Sequence, residues 1–223
     1  MKSGLPFAAL LLAACAHAAP EESARVTNVV RQEVADEEAR RVIAAERGFA
    51  ALAQSAGQWT AFRATAAPGA LLFWPDPVPV ERALAGLADP PRSVNWQPHR
   101  VVVSCDATLA ATTGAAQWPD GRHGWFTTIW ERQADGDWKW IADHGGFVPA
   151  ALPAPATPAV EIAECPGAIG PDRQPSAAQG EARGGSADAT LLWDWAGEAG
   201  GLRVTIWIGP RYAPTILPGP PQP

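Results

Sequence analysis

Positive charge is scarce in this chain. Of its 223 residues, 17 are Lys or Arg against 23 Asp or Glu, a formal net charge of -6, and no run of basic residues occurs. Recognition of nucleic acid needs a basic stripe along the phosphates, so no nucleic-acid partner is expected. Long apolar runs are missing too. The N-terminal one, Leu5 to Ala14, is ten residues long, too short for a bilayer-spanning helix. The histidines past the N-terminus, His99, His123 and His144, show neither H-x-H nor H-E-x-x-H spacing, so no metal is expected. Without a Gly-rich phosphate loop, dinucleotide fingerprint or nucleophile elbow, no cofactor is expected either. Tyrosine occurs once, at Tyr212, and no long internal repeat is visible.

Tryptophan and proline are abundant, at 11 and 23 residues, and 47% of the chain is apolar. That supports one core of ordinary size with extended connections. The N-terminus reads as an export signal: Lys2, the short apolar run, then two competing processing sites. Leu12-Ala13-Ala14-Cys15 resembles the lipobox of bacterial lipoproteins, which makes Cys15 the lipidation site and is the favoured reading. Ala16-His17-Ala18 fits ordinary signal cleavage. The mature protein is then periplasmic or a membrane-anchored lipoprotein, touching the membrane only through that anchor. In an oxidising compartment Cys105 and Cys165 form a disulfide; two independent buried thiols are the alternative.

Residues 21–56 carry apolar residues at helical spacing (Val26, Val29, Val30, Val34, Val42, Phe49, Ala53), with charges such as Glu37, Glu38, Arg40, Arg41 and Arg47 between them. A short helix over 58–66, a strand over 70–74 and a short helix from Pro79 to about Leu87 follow. The period then changes to two. Strands are expected over 100–105, 109–118, 123–132 and 138–143, with Pro119-Asp120-Gly121 and Ala134-Asp135-Gly136-Asp137 as turns. Helices first and a strand meander after them make an α+β domain over 21–148. Residues 1–20 are the signal, 149–187 a Pro-rich, mostly irregular linker, 188–212 a β-hairpin that must dock on the domain, and 213–223 a disordered tail.

Three segments then resemble a known superfamily: Gly124-Trp125-Phe126-Thr127-Thr128-Ile129-Trp130-Glu131-Arg132, Asp135-Gly136-Asp137-Trp138-Lys139-Trp140 with Asp143, and Ala45-Glu46-Arg47-Gly48-Phe49 in the first helix. They look like the closing strands and first helix of SnoaL-like proteins, relatives of ketosteroid isomerase and nuclear transport factor 2. The resemblance covers residues 30–146. It implies a cone-like fold, helices packed on a curved antiparallel sheet with a pocket on the concave face, and it raises the weight of Asp143 as a catalytic residue. The isomerases of this fold combine an Asp base with Tyr and protonated Asp donors. Tyr212 lies outside the matching region, so that mechanism is disfavoured.

Strand alternation sorts the faces. Taking 133–136 as a four-residue loop pairs Arg132 with Asp137 and Phe126 with Asp143. One face then holds Phe126, Thr128, Trp130, Ile141, Asp143, Ala111, Thr113 and Ala115; the other holds His123, Trp125, Ile129, Trp138, Trp140, Thr112, Ala116 and Trp118. A one-residue slip reverses the assignment. Glu46 lies within about 60° of Val42, Phe49, Ala50 and Ala53 on the helix wheel, so it points inward. It is either a pocket acid or base, or the partner of Arg63 in a structural ion pair. Asp143 is either catalytic or a turn-capping residue. Trp125, Trp138 and Trp140 are read as one aromatic cluster, and Trp74, Trp96 or Trp130 as an aromatic wall. With Phe126 and Thr128, Trp74 and Trp130 are the candidate ligand-binding residues.

Two functions remain open. One is a non-catalytic envelope protein binding a small apolar ligand or a partner. The other is a small lyase, isomerase or hydrolase using Glu46 and Asp143. A homodimer is compatible with either.

Overall fold

A computed structural model describes residues 20–165, 182–197, 201–209 and 211–216. Cys15 and the competing cleavage sequence lie outside them. The first helix, α1 (Pro20–Ala56), is followed by α2 (Gln58–Thr65). The buried face of α1 begins at Ala35 and continues through Ala39, Val42, Glu46, Phe49, Ala50 and Ala53, a stripe at three- and four-residue spacing. Val29, Val30 and Val34, expected in that stripe, are instead 58%, 53% and 46% exposed. Periodicity marks a helix face but not where the sheet beneath it starts.

The main sheet has seven strands: β1 (Ala66–Phe73), β2 (Pro77–Pro79), β3 (Asn95–Val103), β4 (Leu109–Gln117), β5 (His123–Arg132), β6 (Trp138–Val148) and β7 (Ala159–Ile162). A one-turn helix, α3 (Val80–Ala83), follows β2. The order is β2-β1-β6-β5-β4-β3-β7. The four central strands form the expected antiparallel meander, while β1 joins β6 and β7 joins β3 in parallel, so the sheet is mixed. Register shifts in β1, β3 and the β5–β6 pair mark irregularities, and such bulges bend strands. The sheet is curved, and α1 and α2 pack on one face. The chain is thus α+β, with helices on a curved sheet.

The opposite face is covered as well. Four further strands, β8 (Arg183–Gly185), β9 (Leu191–Trp195), β10 (Leu202–Trp207) and β11 (Tyr212–Ile216), form a second sheet in the order β11-β10-β9-β8. The expected hairpin is its β9–β10 core. Strands β7 and β8 fall where an irregular linker was expected, and β11 runs into the expected tail. Alternation along the central strands feeds two cores: Val101, Val103, Ala110 and Trp130 pack toward the helices, Val102, Ala111 and Ile129 toward the second sheet. The Cys105–Cys165 disulfide joins the end of β3 to the start of this appendage.

Two loops decide which side chains face the helices. Trp118 N–H bonds Arg122 O and Gln133 N–H bonds Asp137 O. Each hairpin loop therefore has three residues, 119–121 and 134–136, and ends in a glycine, Gly121 at φ +89° and Gly136 at φ +91°. Glycine adopts that conformation without a Cβ clash. A four-residue loop was expected at 133–136, and the same count across 119–122 underlay the expected β4 facing; one residue fewer inverts the facing in each case. Trp138 pairs with Arg132 and Trp140 with Trp130, all toward the helices. Thr112 and Ala116 join that side, while Ala111 turns to the second sheet. The expected Trp125–Trp138–Trp140 cluster does not form, because Trp125 points the other way, against His144. A second one-residue shift, at Ile141, then restores the original facing. Ile141 turns toward the second core, and Asp143 pairs with Thr128 instead of Phe126.

A six-residue repeat, Ser-x-Asp-Ala-Thr-Leu, occupies residues 104–109 and 186–191. The two copies fold alike. In each, the Ser hydroxyl donates to Asp Oδ1 at 2.7 Å and accepts the Leu N–H at 3.1 Å. The Ala sits at positive φ, +54° for Ala107 and +58° for Ala189. The loops also dock on each other. Asp188 N–H bonds Asp106 Oδ2 at 2.7 Å.

Candidate functional site

Tryptophan indoles tie the helices to the sheet. Trp96 Nε1 donates to Glu46 Oε1 at 2.7 Å. Trp130 Nε1 and Thr112 Oγ1 donate to Glu46 Oε2 at 3.0 and 2.5 Å. Eight residues earlier on α1, Glu38 accepts Trp138 Nε1 at 2.9 Å and faces Arg132 Nη2 at 3.1 Å. Trp140 Nε1 donates to Thr65 Oγ1 on α2 at 3.0 Å. Indole offers one donor on a large apolar body, which lets a strand present both packing surface and a hydrogen bond. Glu38 went unrecognised in the sequence as a buried group. Its position four residues before Val42 on the Glu46 face was the available signal.

Glu46 is fully buried. Arg63 is not its partner: the guanidinium donates to Leu84 O at 2.6 Å and Leu87 O at 2.8 Å, capping the chain after α3. Burial pushes the Glu46 carboxyl above the usual carboxylate range, against the pull of Thr112, Trp96 and Trp130. Its contacts are wholly with neutral donors, a structural arrangement that holds α1 against β3, β4 and β5.

A cavity of about 200 Å³ opens between α2 and the end of the sheet. Phe49, Trp59 and Phe62 line it from the helices, Trp74 from the turn after β1, and Trp96, Trp118 and Phe126 from the sheet; Trp125 borders it as well, although its ring packs on His144. Eight of its fourteen lining residues are aromatic, and Asp143 is its one ionisable side chain, so the walls are apolar with a single charged point. Trp59 meets Trp74 at 5.6 Å with planes 73° apart, and meets Phe62 at 5.6 Å and 69°. Two small residues, Ala116 and Gly145, also line it.

Asp143 is half-buried and lines the cavity. Thr128 Oγ1 donates to its Oδ2 at 2.7 Å. Loss of solvation pushes the carboxyl up to about 7; the Thr128 hydrogen bond opposes the rise and the Glu46 charge adds to it. Among the sequence-derived candidates, Trp74, Phe126 and Asp143 thus meet in the cavity. Thr128 touches it only through Asp143. Trp130 and Glu46 lie behind the wall, so the two carboxylates do not face one another across a shared ligand space. His144, the next residue, points to the other side between Phe73, Trp125 and Trp195. Burial lowers its imidazole to about 4, and its Nδ1 finds no partner among the described residues. Among those residues, no helix is long and apolar enough to cross a membrane.

The site and fold together define an α+β protein with an aromatic cavity and one carboxylate of near-neutral pKa. No family model matches the chain, and no curated protein matches it. Three solved structures are similar to parts of it. A "putative ketosteroid isomerase" from Parabacteroides distasonis aligns at 18% identity and TM-score 0.38, over 48% of this chain and 86% of its own. A "putative aromatic ring hydroxylase" from Novosphingobium aromaticivorans aligns at 12% identity and TM-score 0.37, over 52% and 92%. An NTF2-like protein of unknown function from Shewanella baltica aligns at 12% identity and TM-score 0.32, over 60% and 98%.

Proposed function

We propose that the chain is an exported cell-envelope protein that binds a small ligand with apolar surface in the aromatic cavity, without transforming it. The composition of the cavity wall carries the reading: aromatic side chains on several elements converge on one space, with a single ionisable group to orient what enters. The catalytic alternative read from the sequence divides acid and base roles between Glu46 and Asp143, and Glu46 is not among the residues lining the cavity. Export is supported by the disulfide, since such bonds persist in oxidising compartments, and by the lipobox sequence ending at Cys15. Mass spectrometry of the mature N-terminus tests the anchor; a chain starting at Ala19 without an acyl group sinks it.

Binding is tested by thermal unfolding against compact hydrocarbon, alcohol and amine probes. The wild type should gain Tm with at least one. Ala116→Phe, which fills the cavity from β4, should lose the gain while remaining folded. If no probe shifts the wild type, the cavity does not bind small molecules and the reading fails.

One observation favours the alternative of a small lyase, isomerase or hydrolase: a carboxyl near pKa 7 is matched to general-base work at neutral pH. Asp143→Asn separates the two, because it should abolish turnover in an enzyme and leave neutral-probe binding intact in a binder.

A further inference from the structure

The cavity holds one carboxyl group that its walls leave without a cationic partner. Asp143 accepts a hydrogen bond from a neutral hydroxyl, and among the described residues no Arg, Lys or His lines the space. Glu46 behind it is held by two indoles and a hydroxyl, again all neutral. The fold does supply arginine to a buried carboxylate elsewhere: Arg132 stands 3.1 Å from Glu38. At the cavity it does not. In the same cavity lining, the ring of Trp59 meets Phe62 and Trp74 at steep angles, 69° and 73°, and the three rings form an aromatic corner. Aromatic faces carry negative quadrupole density, so such a corner repels anions and attracts cations.

From this juxtaposition we infer that the pocket recognises a small organic cation, an alkylated ammonium whose alkyl groups pack on Trp59, Phe62 and Trp74 and whose charge pairs with Asp143. The inference rests on the binding reading of the same cavity and names its ligand class. Alkylation matters. A primary ammonium carries three donors that all need acceptors once desolvated. The side-chain acceptors here are Asp143 and Gln58, and the Gln58 oxygen already takes the Val94 N–H at 3.0 Å. A quaternary ammonium presents C–H surface in every direction and asks for charge compensation alone. A space of about 200 Å³ suits such a head group, being smaller than the roughly 300–1,000 Å³ of pockets for drug-sized ligands.

The test compares choline with 3,3-dimethylbutan-1-ol, which has the same shape with carbon in place of the charged nitrogen, by calorimetric titration of the disulfide-intact mature chain. Choline should bind roughly tenfold more tightly or better. Asp143→Asn should remove most of that preference and leave the alcohol unchanged. Trp74→Ala, at a residue 49% exposed and therefore tolerated by the fold, should weaken choline more than the alcohol. Equal binding of the two probes overturns the cation inference and leaves the pocket reading standing. Binding of neither overturns both. Choline affinity unmoved by either variant places the cation elsewhere on the protein and likewise overturns the inference.

Discussion

Thr108 and Thr190 hold equivalent places in two copies of one loop, and each caps the other copy: Thr190 Oγ1 accepts Cys105 N–H at 2.9 Å, and Thr108 Oγ1 accepts Ala187 N–H at 3.0 Å. The exchange pins the second sheet onto the main one. The two contacts differ in burial. Thr190 and Cys105 are buried, whereas Ala187 is exposed. Thr190→Val should therefore cost about 1–3 kcal/mol, the penalty for a buried donor left without a partner, and Thr108→Val under about 1 kcal/mol, because water can replace the hydroxyl. Urea denaturation of both variants checks the order; equal losses would mean the loops do not stay docked.

Glu46 receives three donors on two oxygens and, among the described residues, faces no cation. In Glu46→Gln one end of the side chain becomes a donor and meets an indole N–H wherever the amide points. The variant should lose about 1–3 kcal/mol at mildly acidic pH. The folded pKa is raised, so the native state holds the proton more tightly than the unfolded chain. The wild type is then favoured at low pH and loses stability as the pH rises above the unfolded carboxylate value. The loss in Glu46→Gln should shrink as the pH climbs above the unfolded glutamate value of about 4.3. A constant gap in denaturation midpoints would show the carboxyl to be ionised throughout.

Asp143 and His144, neighbours on β6, face opposite cores and pull the pH dependence in opposite directions. The Asp143 carboxyl is raised to about 7, so its ionisation costs stability as the pH rises from the unfolded carboxylate range to about 7. The His144 imidazole is lowered to about 4. Its neutral form favours the fold above the unfolded histidine value of about 6.5, and that contribution is lost as the pH falls toward 4. Asp143→Asn should gain Tm over the wild type mainly above pH 7, and His144→Phe mainly below about pH 6. Tm profiles with the two gains at the same end of the pH scale would overturn the assignment.

The Cys105–Cys165 disulfide closes a separation of 60 residues. The chain-entropy model gives such a closure about 4 kcal/mol. A Cys105→Ala, Cys165→Ala double variant should lose most of that in guanidinium denaturation. Reductant should lower the wild-type midpoint and leave the double variant unmoved. Equal midpoints for the two proteins under oxidising conditions would show that the bond adds nothing.

Glu46 shows what local pattern can reach. Its angle on the helix wheel follows from 3.6 residues per turn, and that alone places it inside. Nothing in the sequence distance between Glu46 and Trp96, Thr112 or Trp130 shows that they meet, since those contacts span 50 to 84 residues. Arg63, near in sequence, was the plausible partner, and it is used instead to cap carbonyls after α3. The strand faces failed for a different reason. Strand periodicity is exact only within one strand, and its phase is carried to the next by the loop, where one residue more or less inverts it.

What the sequence by itself determined is therefore the material within single segments: the buried stripe of α1, the meander of β3–β6 and a cysteine pair suited to an oxidising compartment. These follow from periodicity and composition, which are local. Tertiary structure decided the rest. The glycine conformations at Gly121 and Gly136 set the loop lengths and turned Trp138 and Trp140 toward the helices. The shift at Ile141 returned Asp143 to the Thr128 side. The cavity exists only where side chains of α1, α2 and the sheet meet. Empty space has no sequence signature of its own, because it is defined by side chains far apart in the chain that stop short of one another.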